Sequence, residues 1–272
     1  MEAKLLRRLL PGLVVALLLG LAAPALRADE EGSSVEDLQK KILEEKEKAE
    51  EQEEASEQRD YDDDDDDGGG VFWQLFEALF RILFLYSASE RYADFPYAAD
   101  PAYPFGLNKL ETEGEGYRQW GYANLILDGT YLFENRWAIA GRLSANMLAV
   151  HLEGFTQVLF DPTGRIVFYS ANGGLTLPFR RLILNLFLGA FGTDLFSGAL
   201  FSFGAGAQVF LPGRCILDAY SLNAIYGSLH FHYLAVSLNY AFSAVNLGVG
   251  FNLNNYADTL IMGPLVRLSF WL

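Results

Sequence analysis

The sequence predicts an all-β fold, a closed antiparallel up-and-down barrel of transmembrane strands, preceded by a short amphipathic helix and an acidic extension. Segments of about ten residues alternate between apolar and small or polar side chains, a period typical of two-faced strands. Val245, Leu247 and Val249, for example, alternate with Asn246 and Gly248. Beyond the N-terminus, no segment has the roughly 20 apolar residues without charge that a transmembrane helix needs.

A secreted β-sandwich would show the same period, so the chemistry of the polar positions decides between the two folds. A soluble sheet exposes Lys, Glu, Thr and Arg, whereas here the polar positions carry mainly Gly, Ser, Asn and Ala. Small polar residues suit the interior of a small barrel, and the large apolar residues suit lipid. The composition therefore favours a membrane barrel.

Residues 1–28 have the features of a secretory signal peptide. Lys4, Arg7 and Arg8 form a positive start, residues 13–23 are apolar, and residues 25–28 fit a small-x-small cleavage pattern. A retained membrane anchor is the alternative, but the apolar run is short for a span. We expect export of the mature chain.

Residues 29–70 have a net charge equal to the whole formal charge of −15. Val35, Leu38 and Ile42 begin a heptad-like pattern that decays further on, which favours a frayed, solvated helix or disorder over a stable coiled coil. A run of aspartates and glycines at 62–70 follows, typical of an extended linker. Calcium binding is its weaker alternative, because a tight site needs carboxylates spaced around a turn. The segment is a candidate site for a protein partner.

The remaining composition excludes several classes of protein. Residues 71–272 are nearly neutral and contain no Lys/Arg cluster, which argues against nucleic-acid binding. Cys215 is the only cysteine, so a disulfide scaffold is impossible. Hydrophobic residues make up 51% of the chain, which is too many for a fully disordered protein.

Residues 71–115 connect the acidic segment to the barrel. Gln74, Glu77 and Arg81 would share one face of a helix over residues 71–86, which predicts an amphipathic helix at the membrane interface. A first barrel strand is the alternative. Prolines and aromatic residues then dominate positions 92–106, typical of an interfacial connector.

The barrel is predicted to occupy residues 116–272. Nine segments have strand character: 117–131, 137–150, 166–177, 182–191, 200–210, 215–225, 231–240, 245–253 and 260–271. A single-chain bacterial barrel has an even number of strands, so we expect ten, the missing one near residues 90–95, with eight as the alternative. Tight turns would alternate with longer connections at 151–165, 192–199, 226–230 and 254–258.

The stretch 116–272 resembles small outer-membrane β-barrel proteins of Gram-negative bacteria. Its last strand alternates to the end of the chain, and Phe270, Trp271 and Leu272 resemble the terminal signal that the barrel-assembly machinery recognises. The family pattern ends in an aromatic residue, whereas this chain ends in Leu272 after Trp271. The resemblance implies an outer-membrane location, contact with outer-membrane lipid and assembly by that machinery. With an even strand count, we expect the acidic segment in the periplasm.

The same alternation predicts which polar residues face the barrel interior. They are Asn124, Asp128, Arg142, Asn146, Asn185, Gln208, Asn239, Asn246, Asn252 and Arg267. A three-residue turn at 134–136 would place Asp128 opposite Arg142, and Arg267 could join them. A matched charge pair that stabilises the barrel is the favoured role, and a polar constriction that selects solutes is the alternative.

The sequence offers only weak candidates for catalysis. His151, Glu153, Ser228 and His230 would all lie near the outer rim, where lipid-modifying barrel enzymes place such groups, but no close His–Ser spacing exists. We expect no catalytic site, no metal and no cofactor. The predicted function is a structural or interaction barrel with at most a narrow pore. The alternatives are a small-solute channel and a lipid-modifying enzyme.

Overall fold

The computed structural model describes residues 34–57, 121–132, 135–147, 149–179, 182–211, 214–227, 229–242 and 244–271. These form one helix, α1 (Val35–Glu57), and ten strands. The strands are β1 (Gly121–Leu132), β2 (Arg136–Met147), β3 (Val150–Phe160), β4 (Arg165–Phe179), β5 (Leu182–Thr193), β6 (Phe196–Leu211), β7 (Cys215–Tyr226), β8 (Leu229–Phe242), β9 (Val245–Tyr256) and β10 (Thr259–Trp271).

The ten strands form a closed antiparallel barrel, as predicted. Each strand pairs with its neighbours in sequence, and β1 pairs with β10 to close the sheet. We call the end at which β1 begins and β10 ends the terminal mouth. The opposite end, where β1 leads into β2, β3 into β4, β5 into β6, β7 into β8 and β9 into β10, is the helix mouth. The signal peptide, the aspartate run, the amphipathic helix and the connector lie outside the described residues.

Burial in this barrel is the reverse of that in a soluble protein. Outward positions expose large apolar side chains, such as Ile139, Leu152 and Val266, each more than half exposed. Inward positions bury polar and charged ones, such as Arg267 at 1% exposure and Asn252 at 0%. Two-faced strands of this kind place an apolar surface toward lipid and keep polar groups inside.

The tenth strand is not where the sequence analysis placed it. It is β3, which lies almost entirely within the stretch 151–165 that we interpreted as a long connection, and residues 90–95 lie outside the described part of the chain. β3 is hard to recognise from its sequence because apolar Phe155 and Leu159 point inward together with polar His151 and Glu153. Apolar residues on both faces of this strand hide its period of two.

The predicted pairing of β1 with β2 was wrong by two residues. Arg142 lies opposite Ile126, and Asp128 lies opposite Ala140. The turn places Asn135 at a positive φ of 63°, a conformation that Asn tolerates at the end of a three-residue hairpin loop. A shift of two keeps every side chain on its predicted face.

The predicted alternation of tight turns and long loops was also wrong. The strands continue to short turns at both mouths, and the longest described connection is the four-residue turn 161–164. Strands such as β6, β7 and β9 extend beyond their predicted ends. Loop length therefore does not distinguish the two faces of the membrane.

Helix α1 docks across the helix mouth, and its N-terminus is held by the turn at 161–164. Ser34 and Asp37 form a capping box: Ser34 N–H donates to Asp37 Oδ2 (3.1 Å), and Asp37 N–H donates to Ser34 Oγ (3.2 Å). The Val35 N–H donates to Asp161 Oδ2 at 2.8 Å, and the Glu36 N–H donates to Thr163 Oγ1 at 3.3 Å. The barrel thus satisfies backbone donors that a helix start leaves free.

The apolar face of α1 packs into the barrel. Val35, Leu38 and Ile42 are fully buried and join one hydrophobic cluster with inward residues of the helix mouth, including Phe168 and Phe231. The expectation of a solvated helix therefore does not hold for this face. The heptad-like pattern was a correct observation, but its partner is the barrel and not a second helix.

Candidate functional site

Four charged residues meet inside the barrel, and we call them the central cluster: Asp128, Arg142, Asp218 and Arg267. Arg267 donates twice to Asp128, from Nε to Oδ1 and from Nη2 to Oδ2, both at 2.7 Å. Its Nη1 donates to Asp218 Oδ1. Arg142 Nη2 reaches the same carboxylate at 3.3 Å. The bidentate contact is the strong geometry for an arginine and a carboxylate.

Neutral groups complete the central cluster. Gln208 Nε2 donates to Asp218 Oδ2 at 2.9 Å, and Tyr233 Oη donates to Asp128 Oδ2 at 3.3 Å. The Arg142 guanidinium lies over the ring of Tyr220, 4.1 Å from its centroid. The charges are therefore both paired and hydrogen-bonded, as buried charges must be to be tolerated.

A second polar group lies beside the central cluster, on the inward face of β3. Glu153 Oε1 accepts a hydrogen bond from Tyr220 Oη at 2.5 Å and from Asn172 Nδ2 at 3.4 Å. His151 Nδ1 lies 2.8 Å from Asn146 Oδ1, and its Nε2 lies 3.5 Å from Glu153 Oε2. All of these side chains are buried.

Apolar side chains fill both ends of the lumen. Near the terminal mouth, Ile183, Phe210, Ile216, Ala241 and Trp271 form a buried cluster, which we call the terminal layer. Near the helix mouth, aromatic rings of four strands stack below α1. They are Phe168, Phe191, Phe231 and Tyr256, with centroids 4.6 to 6.1 Å apart.

A polar chamber remains between the terminal layer and the central cluster. Its free space, part of which is open to solvent, amounts to about 320 Å³ and is divided into small gaps between the lining side chains. The lining residues are Tyr122, Asn124, Arg142, Ser144, Asn146, His151, Glu153, Asn185, Gly206, Ala207, Gln208, Asp218 and Tyr220. Three polar atoms facing it have no hydrogen-bond partner: Asn124 Oδ1, Asn146 Nδ2 and His151 Nε2.

The residues predicted to face the interior lie in three places. Arg142, Arg267 and Asp128 belong to the central cluster. Asn124, Asn146, Asn185 and Gln208 line the polar chamber. The other three are buried elsewhere on the inner wall: Asn239, Asn246 and Asn252.

The central cluster contains one residue that the sequence analysis missed. Asp218 contacts both Arg142 and Arg267 and so links opposite walls of the barrel. The sequence did contain a signal for this residue. Two arginines were predicted to point inward, and Asp128 alone cannot neutralise both, so a second carboxylate was needed at an inward position.

The proposed catalytic candidates are not brought together. His151 and Glu153 lie inside the barrel at the start of β3, next to the terminal mouth. His230 is exposed at the start of β8, at the opposite mouth, and Ser228 lies outside the described residues. The prediction that these residues share one rim was therefore wrong. Because β3 is an additional strand between them, His151 and His230 lie at opposite ends of the barrel.

Neither a membrane-spanning helix nor a metal site is present among the described residues. No helix there is long and apolar enough to cross a membrane. No three His, Cys, Asp or Glu side chains in these ranges are arranged to hold a metal ion.

Comparison with known proteins gave matches among solved structures alone. No protein-family model and no curated protein matches the sequence. A de novo designed transmembrane β-barrel is 10% identical and covers 57% of this chain and 98% of its own, with a TM-score of 0.33.

Two natural barrels match at the same level. The N-terminal β-barrel domain of Pseudomonas aeruginosa OprF is 10% identical, covering 56% of this chain and 97% of its own with a TM-score of 0.30. The Yersinia pestis outer membrane protein Ail is 10% identical, covering 56% and 98% with a TM-score of 0.32. Both belong to the class that the sequence resembles. At these values the matches say nothing about what this chain binds.

Proposed function

We propose that this chain is an outer-membrane β-barrel of structural or interaction type whose lumen is closed, so that it conducts no solutes. The observation that carries the proposal is the filling of the lumen. The terminal layer, the central cluster and the aromatic rings under α1 follow one another along the barrel axis. Small barrels are commonly filled by side chains in this way.

The membrane location is supported by the distribution of polar and apolar residues. About twenty large apolar side chains are exposed on the strands, from Leu127 to Val266, while arginines and aspartates are buried inside. Gel mobility of the outer-membrane fraction, unheated against boiled, tests this location. We expect enrichment in that fraction and a heat-dependent shift, whereas a soluble periplasmic protein with no shift would contradict it.

Single-channel recording in a planar bilayer tests the closed lumen. We expect no conductance steps from the full chain, and none after deletion of residues 34–57, because the terminal layer and central cluster remain. A heat-dependent mobility shift of the same preparation shows that the silent bilayers received folded protein. Steps from the full chain would favour the small-solute channel instead.

We also propose that the chain has no enzymatic activity on lipids. The support is the separation of His151 and Glu153 from His230, at opposite mouths of the barrel. Mass analysis of lipid A and phospholipids, with and without the protein, tests this directly. A new lipid species that depends on the protein would reverse the conclusion.

The proposed partners are outer-membrane lipid, the barrel-assembly machinery and a protein that contacts the acidic segment. The resemblance of Phe270 and Trp271 to a terminal assembly signal supports the second. Trp271 is the last residue of β10 and packs on Tyr122 of β1, with ring centroids 5.0 Å apart. The terminal strand therefore also closes the barrel. Replacing Trp271 with Ser should slow assembly, seen as unfolded protein in a pulse-chase experiment.

The position of α1 favours the cell surface over the expected periplasm. α1 covers the helix mouth, whereas β1 begins and β10 ends at the terminal mouth. We propose that the terminal mouth faces the periplasm, where assembly takes place. The 63 residues of 58–120 are enough to join the two mouths, since even a helix rises about 1.5 Å per residue against a hydrocarbon core of about 30 Å.

Labelling of intact cells tests this orientation. In a Cys215→Ser background, Glu44→Cys places a thiol on the exposed face of α1. We expect a membrane-impermeant maleimide to label it in intact cells. Labelling that requires permeabilised cells would place α1 in the periplasm, as the sequence analysis expected.

A further inference from the structure

The lumen between its two apolar ends holds more negative than positive charge. Among the described residues, the central cluster has two aspartates and two arginines, and Glu153 adds a third carboxylate. Arg136 is also buried but begins β2 at the helix mouth, six residues from Arg142, which is about 20 Å along a strand. The described arginines thus leave one carboxylate, Glu153, without a matching charge beside the polar chamber.

No arginine or lysine of the described residues lies within ion-pair distance of Glu153. Tyr220 and Asn172 both donate to Oε1, and Oε2 faces His151 Nε2 at 3.5 Å. The side chain is 2% exposed, so bulk water does not solvate it. An uncompensated carboxylate at such a position is strongly destabilising.

An acceptor without a donor lies on the same wall of the chamber. Asn124 is the cross-strand neighbour of Ser144, and Ser144 is that of Glu153, all three on inward positions. Asn124 is 3% exposed, and its Oδ1 has no hydrogen-bond partner. The wall therefore presents an amide oxygen and a carboxylate, groups that bind hard cations.

We propose that the polar chamber binds one compact monovalent cation, an alkali metal ion or ammonium, against Glu153 and Asn124. One positive charge balances the lumen, which favours a monovalent ion. The described residues place no three His, Cys, Asp or Glu side chains around one point, and this also favours a monovalent ion over a more highly charged metal ion. The divided free space excludes a large organic cation.

Thermal unfolding in different chlorides tests the site. Folded full-length protein in detergent is heated in sodium, potassium, ammonium or choline chloride, at one pH and one ionic strength. We expect a midpoint several degrees higher in at least one of the compact cations than in choline, because a ligand that binds only the folded state stabilises it. An equal midpoint in all four salts would overturn the proposal.

Two variants separate the cation from a general salt effect. Glu153→Gln removes the excess charge, so its midpoint in choline should rise and its dependence on the cation should disappear. Asn246→Ala is the matched control, since Asn246 also has an unpartnered buried Oδ1 but does not line the chamber. It should keep the wild-type dependence on the cation, and loss of that dependence in both variants would contradict the site.

A proton could supply the missing charge instead, and this is a separate outcome. In that case the midpoint in choline would fall with rising pH while all four salts gave the same value at each pH. That result would overturn the cation site. A positive result would be located by the anomalous scattering of thallium(I) in the chamber, next to Glu153. None of these measurements depends on conductance or cell location, so failure here leaves the proposed function untouched.

Discussion

Arg267 is the residue on which the charge balance of the lumen depends most. It donates to two aspartates from neighbouring and distant strands, and it is 1% exposed. We expect Arg267→Ala to lower the free energy of unfolding by about 3–5 kcal/mol, because it leaves both carboxylates with too little compensation. Urea unfolding in detergent, followed by tryptophan fluorescence, measures this loss.

Arg142→Ala serves as the graded comparison for that variant. Among the described residues, Asp218 is the one carboxylate within ion-pair distance of Arg142, at 3.3 Å, and the guanidinium also lies over the ring of Tyr220. Arg142→Ala should therefore lower the free energy of unfolding by less than Arg267→Ala does, and it should leave the conductance of the membrane unchanged. Equal losses for the two variants would mean that the bidentate contact with Asp128 adds nothing.

Most inward glycines lie where the neighbouring strand passes very close. A Cβ on Gly250 would lie 2.0 Å from the Val236 backbone oxygen, whereas a Cβ on outward-facing Gly129 would meet nothing within 4 Å. We expect Gly250→Ala to destabilise the barrel by more than about 1 kcal/mol and Gly129→Ala to have little effect. Midpoints of the heat-dependent gel shift compare the two, and similar midpoints would contradict this account.

At the scale of elements, the sequence predicted the strands better than their registers. The alternation along each strand is enough to assign Asn252 and Arg267 to the interior, because a register shift of two residues leaves every side chain on the same face of the sheet. The alternation cannot predict which residue of β2 lies opposite Asp128, because that register depends on the turn conformation at Asn135. β7 shows the other limit: Asp218 points inward while Ser221 is polar on the outward face, so polarity does not separate the two faces of that strand.

Helix α1 provides a direct test of docking, because one helix has a buried and an exposed leucine. Leu38 is fully buried against the barrel, and Leu43 is 40% exposed. We expect Leu38→Asp to release the helix, because the carboxylate would have to enter an apolar cluster. Amide hydrogen exchange of residues 35–51 should then accelerate, whereas Leu43→Asp should leave it unchanged. Fast exchange in the wild-type chain would contradict docking.

The docked helix should also respond to acid through Asp161. Burial tends to raise the pKa of Asp161, but hydrogen bonds from the Thr163 side chain and from the Val35, Thr163 and Gly164 N–H groups outweigh it and lower the pKa. A lowered pKa stabilises the folded state above the unfolded value of about 3.9, and this contribution is lost as the pH falls through the folded value.

Hydrogen exchange of α1 between about pH 6 and pH 3 tests this dependence. Rates are corrected for the intrinsic effect of pH on exchange. We expect protection to fall at the acid end of the range. Asp161→Asn should weaken protection at neutral pH and flatten the profile. An Asn variant with an unchanged acid response would assign the effect to Asp37 of the capping box, whose pKa is also lowered by its hydrogen bonds to Ser34.

At the scale of the whole molecule, the barrel combines an apolar outer surface with a charged interior, and this combination distinguishes it from a secreted sandwich. Val266 and Met147 are exposed to almost the same extent, 64% and 67%, but at different depths. Val266 lies midway along β10, whereas Met147 is the last residue of β2 at the terminal mouth. In a soluble protein the two positions would be equivalent, since both would face water.

An arginine at each position therefore measures the membrane directly. We expect Val266→Arg to destabilise the inserted barrel by about 2–4 kcal/mol and Met147→Arg by about 0–1 kcal/mol, because the cost of a charge rises toward the middle of the bilayer. Reversible unfolding from lipid vesicles gives both values. The same variants in a detergent micelle, where the depth gradient is weaker, provide the control. If both arginines were tolerated equally in vesicles, the apolar exterior would face something other than lipid, and the barrel would need a protein partner around it.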